Sequence, residues 1–370
     1  MAEAVMDALA VGIFEGWEPE DFLLLFGGLL GLAFGALAQW SGFCFRAAVQ
    51  ETTRPGGARP KLAQWIAATA VAIAATQGGI AHGLIDVSGT PYLQADFSLG
   101  GLVVGGLLFG IGMTFAGGCI SRLTVLSVRG NLRSVFTLLV VSVVGYAAIR
   151  GMLAQARAGF ADGTRVPGDA APSIPDLLAT GLGLPAEAVA LGLGAVALVL
   201  GLSLAFHEAG RRVLPLAVGG SVGLLVAAGF AATTWVSSEA FDPVAVESLR
   251  FTQPSADSLM YAMISTGVAA NFGIVLFAGV LAGAFLQAAA TRSLRLEGFE
   301  DPAQMARAGL GGVAMGVGGV LALGCAVGQG LSGVATLAYP SMIALAAIWT
   351  GARIGFAWRA GIERRVAAAA

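Results

Sequence analysis

Residues 99–119 read LGGLVVGGLLFGIGMTFAGGC, an uncharged run that ends on a cysteine. About 20 apolar residues carry an α-helix across a bilayer, so the run has the length and chemistry of a transmembrane helix. Residues 305–325, MARAGLGGVAMGVGGVLALGC, repeat it at an offset of 206. Gly105, Gly106, Gly110, Gly112, Ala116, Gly118 and Cys119 fall on Gly311, Gly312, Gly316, Gly318, Ala322, Gly324 and Cys325. The start of the chain carries a related pattern at an offset of 75, where Gly31, Gly35, Gly42 and Cys44 fall on Gly106, Gly110, Gly117 and Cys119. A fourth unit keeps only Gly219 and Gly223 in register, with Phe230 and Ala232 where the later glycine and the cysteine are expected.

The surrounding sequence agrees with a lipid environment. Of 370 residues, 57% are hydrophobic and 11% charged, and mean hydropathy is +0.83. Such a chain has too few polar side chains to cover a surface in water. Nine apolar stretches are expected to span, near 22–42, 62–81, 99–119, 133–151, 186–206, 214–236, 260–285, 308–328 and 341–358. The connections alternate in charge. Sixteen of the twenty Lys and Arg residues fall in 43–61, 120–133, 207–213, 286–307 and the C-terminal end, against Arg150, Arg157, Arg165 and Arg250 in the others. Because cytoplasmic loops hold the excess of basic residues, the N-terminus is expected outside and the C-terminus in the cytoplasm. The N-terminal segment has acids and no Lys or Arg before its first apolar run, so it does not read as a secretory signal peptide.

With a single span between them, 22–151 and 214–358 become two four-span repeats of opposite topology, an arrangement that places substrate sites on interrupted helices near the midplane. Around them, 1–21 reads as an external overhang, 152–213 as an external loop with the connecting span, and 359–370 as a cytoplasmic tail. The fold class expected is an all-α membrane protein. Close helix packing is the simpler role for Gly31, Gly35, Gly106, Gly110, Gly312 and Gly316, but it does not account for a cysteine at the end of three units. After Cys119 and Cys325 come short pieces, ISRLTVLSVRGNLRS and AVGQGLSGVATLAYPS, which read as re-entrant segments drawing the thiols towards one centre. Cys44 is expected between them.

Other polar residues have simpler roles. His82 and His207 fall at span ends and read as solvated, Asn271 reads as a mid-span residue making an interhelical hydrogen bond, and 151–185 reads as a solvated loop. Arg46 and Arg122 serve either as positive-inside anchors or, beside a thiol, as partners for an anion. Net charge of −2 offers no basic face for nucleic acid. Three cysteines without CxxC spacing argue against a disulfide framework and a zinc site, and no nucleotide-binding motif is present, so no cofactor is expected.

The segments GFCFR (42–46), GGCISR (117–122), RGNLRS (129–134) and MGVGGVLALGCAVGQGLSG (315–333) resemble the YeeE/YedE family of bacterial inner-membrane proteins, whose characterised members take up thiosulfate. The resemblance runs over about 25–355. It implies an hourglass-shaped helical protein of two pseudo-symmetric halves, with Cys44, Cys119 and Cys325 lining a central path and Cys119 the critical one. Arg46, Gly118, Arg122, Gly324 and Gln329 would flank that path. The anion would pass from thiol to thiol by weak S–H contacts, loose enough to release it, and a cytoplasmic TusA-like sulfurtransferase would receive it. The thiols would stay neutral, since thiolates repel a dianion and apolar burial favours the neutral form. After the central cysteine the chain reads Ile120-Ser121-Arg122, unlike the Pro-Leu-Arg type expected of the selenium-associated branch, which favours thiosulfate or a related sulfur oxyanion. A transporter of another sulfur or selenium compound, a membrane thiol redox or sulfur-transfer protein, and a soft-metal permease are the alternatives.

Overall fold

The computed structural model describes residues 17–54, 56–168, 171–241 and 244–369, with side chains as far as Ile362. The expected overhang therefore lies mostly outside the described residues. The chain is built from helices: α1 (Pro19–Ser41), α2 (Phe45–Thr52), α3 (Pro60–Ala81), α4 (Leu99–Ala116), α5 (Ile120–Val128), α6 (Leu132–Ile149), α7 (Ala154–Gly163), α8 (Ile174–Leu182), α9 (Ala186–Glu208), α10 (Val213–Glu239), α11 (Thr252–Ile264), α12 (Phe272–Ala290), α13 (Pro302–Leu321) and α14 (Tyr339–Ala369), with a π-helical turn at Gly328–Gly333. Two-residue strands β1 (Phe97–Ser98) and β2 (Arg165–Val166) pair antiparallel.

Seven helical stretches among the described residues are long and apolar enough to cross a membrane: Pro19–Thr52, Leu99–Val128, Leu132–Ile149, Ala186–Glu208, Val213–Glu239, Phe272–Ala290 and Tyr339–Ile362. The protein is an all-α, multi-pass membrane protein. Two further expected stretches overlap α3 and α13, which are long enough but diluted by Gly and Gln, and α13 ends at Leu321, short of the expected 328.

Local chemistry sets where helices begin. Ser98, Asn131, Asn271 and Asp301 stand at N-caps, each accepting a hydrogen bond from an N–H of the first turn, which satisfies one of the donors a helix leaves open. Pro19, Pro60 and Pro302 occupy first-turn positions, where their missing N–H costs nothing.

Glycines then determine which helices meet. On α4 and α13, a Cβ at Gly105 would stand 2.7 Å from the Gly318 carbonyl, and one at Gly318 2.6 Å from the Gly105 carbonyl. A second such pair is Gly112 and Gly311. Between α1 and α12, Gly31 and Gly35 abut the carbonyls of Leu276 and Val280, while Gly279 and Gly283 abut those of Gly28 and Leu32. No side chain larger than hydrogen fits at these crossings, so van der Waals contact is made backbone to backbone.

The connections gather at two ends. At one, Arg59 pairs with Glu208, Arg129 Nε donates to Ser293 O, Arg133 pairs with Glu297 and Arg353 donates to Thr52. At the other, β1 meets β2, Asp86 N donates to Thr234, and Tyr339 N donates to Pro172 O. The basic residues concentrate at the first end.

Four expectations change. The stretch 260–285 is not one helix: α11 ends at Ile264 and α12 starts at Phe272. Asn271 is thus exposed and serves as a cap, its Oδ1 accepting from Ile274 N. The loop 151–185 contains α7 and α8, and Ser173 bridges to Ala338. The tail from 359 continues α14. His82 and His207 are exposed at helix ends, as expected.

Candidate functional site

Each cysteine stands where a long helix has ended and a short one begins. Cys44 is the N-cap of α2 and Cys119 that of α5, and Cys325 precedes the helical segment holding the π-turn. Their carbonyls accept the first helical bonds, from Ala48, Leu123 and Gln329 respectively. The sulfur of Cys325 accepts from Gly328 N at 3.3 Å, and those of Cys44 and Cys119 face the matching amides of Ala47 and Arg122. Open N–H groups at a helix start favour negative charge, so every thiol sits at a position that welcomes an anion.

The break before each thiol has a common geometry. Gly42, Gly117 and Leu323, each two residues before its cysteine, have φ of +63°, +87° and +56°. Left-handed backbone stops a helix, and glycine adopts it without a Cβ penalty. Leu323 adopts it with one.

All three cysteines are free and buried. Cys44 and Cys119 approach closely enough to interact side chain to side chain, and Cys119 Sγ lies 3.2 Å from Ser121 Oγ. Arg46 and Arg122 act electrostatically on Cys44. Arg46 stacks over Phe356 at 5.2 Å, and its buried Nε has no hydrogen-bond partner among the described residues. Arg122 and Lys61 cap the end of α1, donating to Ala38 O (3.4 Å) and Ser41 O (2.5 Å), the cation placement a helix C-terminus favours. Two cavities are lined by chain neighbours of these cysteines, though by neither cysteine itself. One of about 240 Å³ is lined by Arg46, Gln50, Phe356 and Arg359, and one of about 320 Å³ by Gly117, Leu123, Arg133, Arg307 and Arg359.

Cys325 has different neighbours. Gln329 Nε2 donates to Ala322 O at 2.6 Å, while its buried Oε1 has no partner among the described residues. Gly324 is buried against Gln329, whose Cγ would lie 3.2 Å from a Cβ there. Gly118 is buried beside Arg122. A backbone hydrogen bond links Cys325 to Phe251, the N-cap of α11. Phe251 packs on Phe34 (5.3 Å between centroids), Phe34 on Phe43 (6.4 Å), and Phe43 stacks on Trp65 (4.9 Å). Aromatic rings therefore run from beside Cys325 to beside Cys44.

Of the residues singled out in the sequence, Cys44, Cys119, Arg46, Gly118 and Arg122 come together, and Cys325, Gly324 and Gln329 form a second group. Cys44 partners Cys119 directly. Sequence reasoning missed Phe251: in the unit without a cysteine the short helix begins there, downstream of Phe230 and Ala232, which lie inside α10. It also missed Tyr92 and Arg250, which stand against Gly328 three residues past Cys325, and Glu247, which pairs with Arg250. No motif marks them, although Arg250 as one of only four basic residues outside the basic loops was a usable signal.

Comparison with known proteins adds an independent observation. A family model described as Sulphur transport matches residues 40–354. The thiosulfate transporter TsuA of Escherichia coli is 27% identical over 347 residues, covering 89% of this chain and 93% of that one. TsuA of Spirochaeta thermophila is 25% identical over 328 residues, covering 86% and 93%.

Proposed function

Because the chain belongs to the Sulphur transport family, matched from residue 40 to 354, we propose that it takes up thiosulfate, or a closely related sulfur oxyanion, across a bacterial inner membrane. The observation that carries this reading is the set of three buried, free thiols at helix starts, two of them beside Arg46 and Arg122. An oxyanion presents charged oxygens to arginine and open amides and a terminal sulfur to a neutral S–H.

The order of groups supports a path. Cys325 stands towards the end holding Tyr92 and Arg250, an aromatic layer follows, and Cys44 with Cys119 stands towards the basic end. On the positive-inside rule the basic end is cytoplasmic, so cargo enters past Cys325 and leaves past Cys119. Individually weak thiol contacts suit passage, since each must release what it binds. The basic cavities lined by Arg46, Arg133, Arg307 and Arg359 suit handover to an acidic face of a cytoplasmic TusA-like sulfurtransferase. Four successions of long helix, break, short helix and long helix, α1–α3, α4–α6, α10–α12 and α13–α14, accord with two inverted halves.

Cys119→Ala abolishes thiosulfate-dependent growth of a sulfur auxotroph on this reading, with the protein still inserted in the membrane. Unchanged growth contradicts it. A covalent alternative, in which a deprotonated thiol attacks the terminal sulfur of thiosulfate, breaks its S–S bond and releases sulfite to leave a persulfide, predicts a trapped persulfide at Cys44 or Cys119 by mass spectrometry together with one sulfite released per persulfide.

A further inference from the structure

At the end opposite the basic loops, residues 244–251, which precede α11, run back along α10. Thr233 Oγ1 donates to Glu247 O at 2.9 Å, Ser248 Oγ to Val226 O at 2.6 Å, and Ser332 Oγ to Leu249 O at 2.7 Å. Val226 lies 13 residues before the end of α10, so the segment descends about 20 Å at 1.5 Å per helical residue. It carries Glu247 and Arg250 down with it, joined as an ion pair.

These two charges arrive beside the Cys325 group. A Cβ on Gly328 would lie 3.3 Å from Arg250 Cβ and 3.6 Å from the Tyr92 hydroxyl, and Tyr92 is within electrostatic reach of Arg250, Glu247 and Cys325. Glu247 is 7% exposed, and the Arg250 side chain 19%. Withdrawing a charge pair from water costs several kcal/mol per ion, and an apolar pair would brace this segment at less cost. Moreover, Arg250 Nε is buried with no hydrogen-bond partner among the described residues. Such an arginine has donors to spare at the approach to a thiol.

We propose that Arg250 is an anion-binding residue at the approach to Cys325, and that Glu247 is its proton-controlled competitor. Ionised, Glu247 occupies the guanidinium; protonated, it releases Arg250 to the oxygens of the incoming anion. The inference rests on the transport reading above. Charged and titratable groups facing Glu247 are Arg250 on its own segment, Asp257 on α11 and Tyr92 on the 82–96 connection; α10 contributes the neutral Thr233. Arg150, at the end of α6, faces Asp257. Burial pushes the Glu247 carboxyl above the usual carboxylate range, Arg250 pulls it down, and Asp257 pushes it up. Proton uptake therefore comes at milder acidity than for an exposed glutamate, and lower external pH frees Arg250 and tightens anion binding.

The test is initial-rate uptake of radiolabelled thiosulfate by the full-length protein in proteoliposomes, with external pH varied from about 8 to about 5.5. Wild type shows an apparent KM that falls as external pH falls. Glu247→Gln holds the low-pH KM across the range. Arg250→Gln raises KM about tenfold or more at low pH, the loss of a charge-assisted hydrogen bond, and if it does not insert, Arg250→Lys is read for a smaller rise. A Glu247→Gln protein that keeps the wild-type pH profile, or an inserted Arg250 variant with unchanged KM, overturns this inference and leaves the transport reading standing. Absence of wild-type uptake overturns both.

Discussion

At the residue scale, the sites that matter are the ends of helices. A cysteine that starts a short helix presents its sulfur to unpaired N–H groups and its carbonyl to the first helical bond. The residue two places earlier makes this possible by turning left-handed. Gly117, at φ +87°, predicts that Gly117→Ala lowers stability by about 1 kcal/mol, measured by thermal unfolding in detergent. Leu323→Gly at the equivalent position loses no stability, since it removes a strain of similar size. The cysteines were legible in the sequence because they recur at the end of the glycine pattern in three units, and Arg46 and Arg122 because each follows its cysteine within three residues. Glu247, Arg250 and Tyr92 were not, because they come from connections far apart in the chain and meet only where residues 244–251 run back along α10.

At the scale of elements, bare backbone surfaces decide which helices pair. Gly35 abuts the Val280 carbonyl across the α1–α12 crossing, whereas Gly78 in α3 has nothing within 4 Å of a Cβ. Gly35→Leu is therefore expected to destabilise by about 1–3 kcal/mol or more through overpacking, and Gly78→Ala to leave stability unchanged or improved through helix propensity. Size-exclusion profiles with thermal midpoints check both. Apolar runs and charge alternation sufficed to place most helices from the sequence. They failed at 260–285, where apolar residues continue through a break that Asn271 caps, and hydropathy does not register a cap. They failed also at the unit lacking a cysteine, whose break is an irregular segment closed by side-chain hydrogen bonds from Thr233 and Ser248.

At the scale of the whole molecule, charge separates the two ends. Sixteen basic residues were assigned to one face from sequence alone, and the contacts at Arg59, Arg129, Arg133 and Arg353 gather their loops at one end. A membrane-impermeant maleimide is expected to label Ser88→Cys in cells with an intact inner membrane, and Gly298→Cys only after permeabilisation. Both positions are exposed and the native thiols are buried; the reverse pattern inverts the orientation and the direction of the path.

The central claim is that a sulfur oxyanion moves along these buried thiols. It is tested most directly by uptake of radiolabelled thiosulfate into proteoliposomes holding either the wild-type protein or Cys119→Ala, with sulfate, sulfite and selenite as competitors. The account predicts saturable uptake by wild type, competed by related sulfur anions more than by sulfate, and a loss of at least about tenfold in the variant, as expected for removal of a contact worth more than about 1.4 kcal/mol in transit. Equal uptake by an inserted, folded Cys119→Ala protein would contradict it.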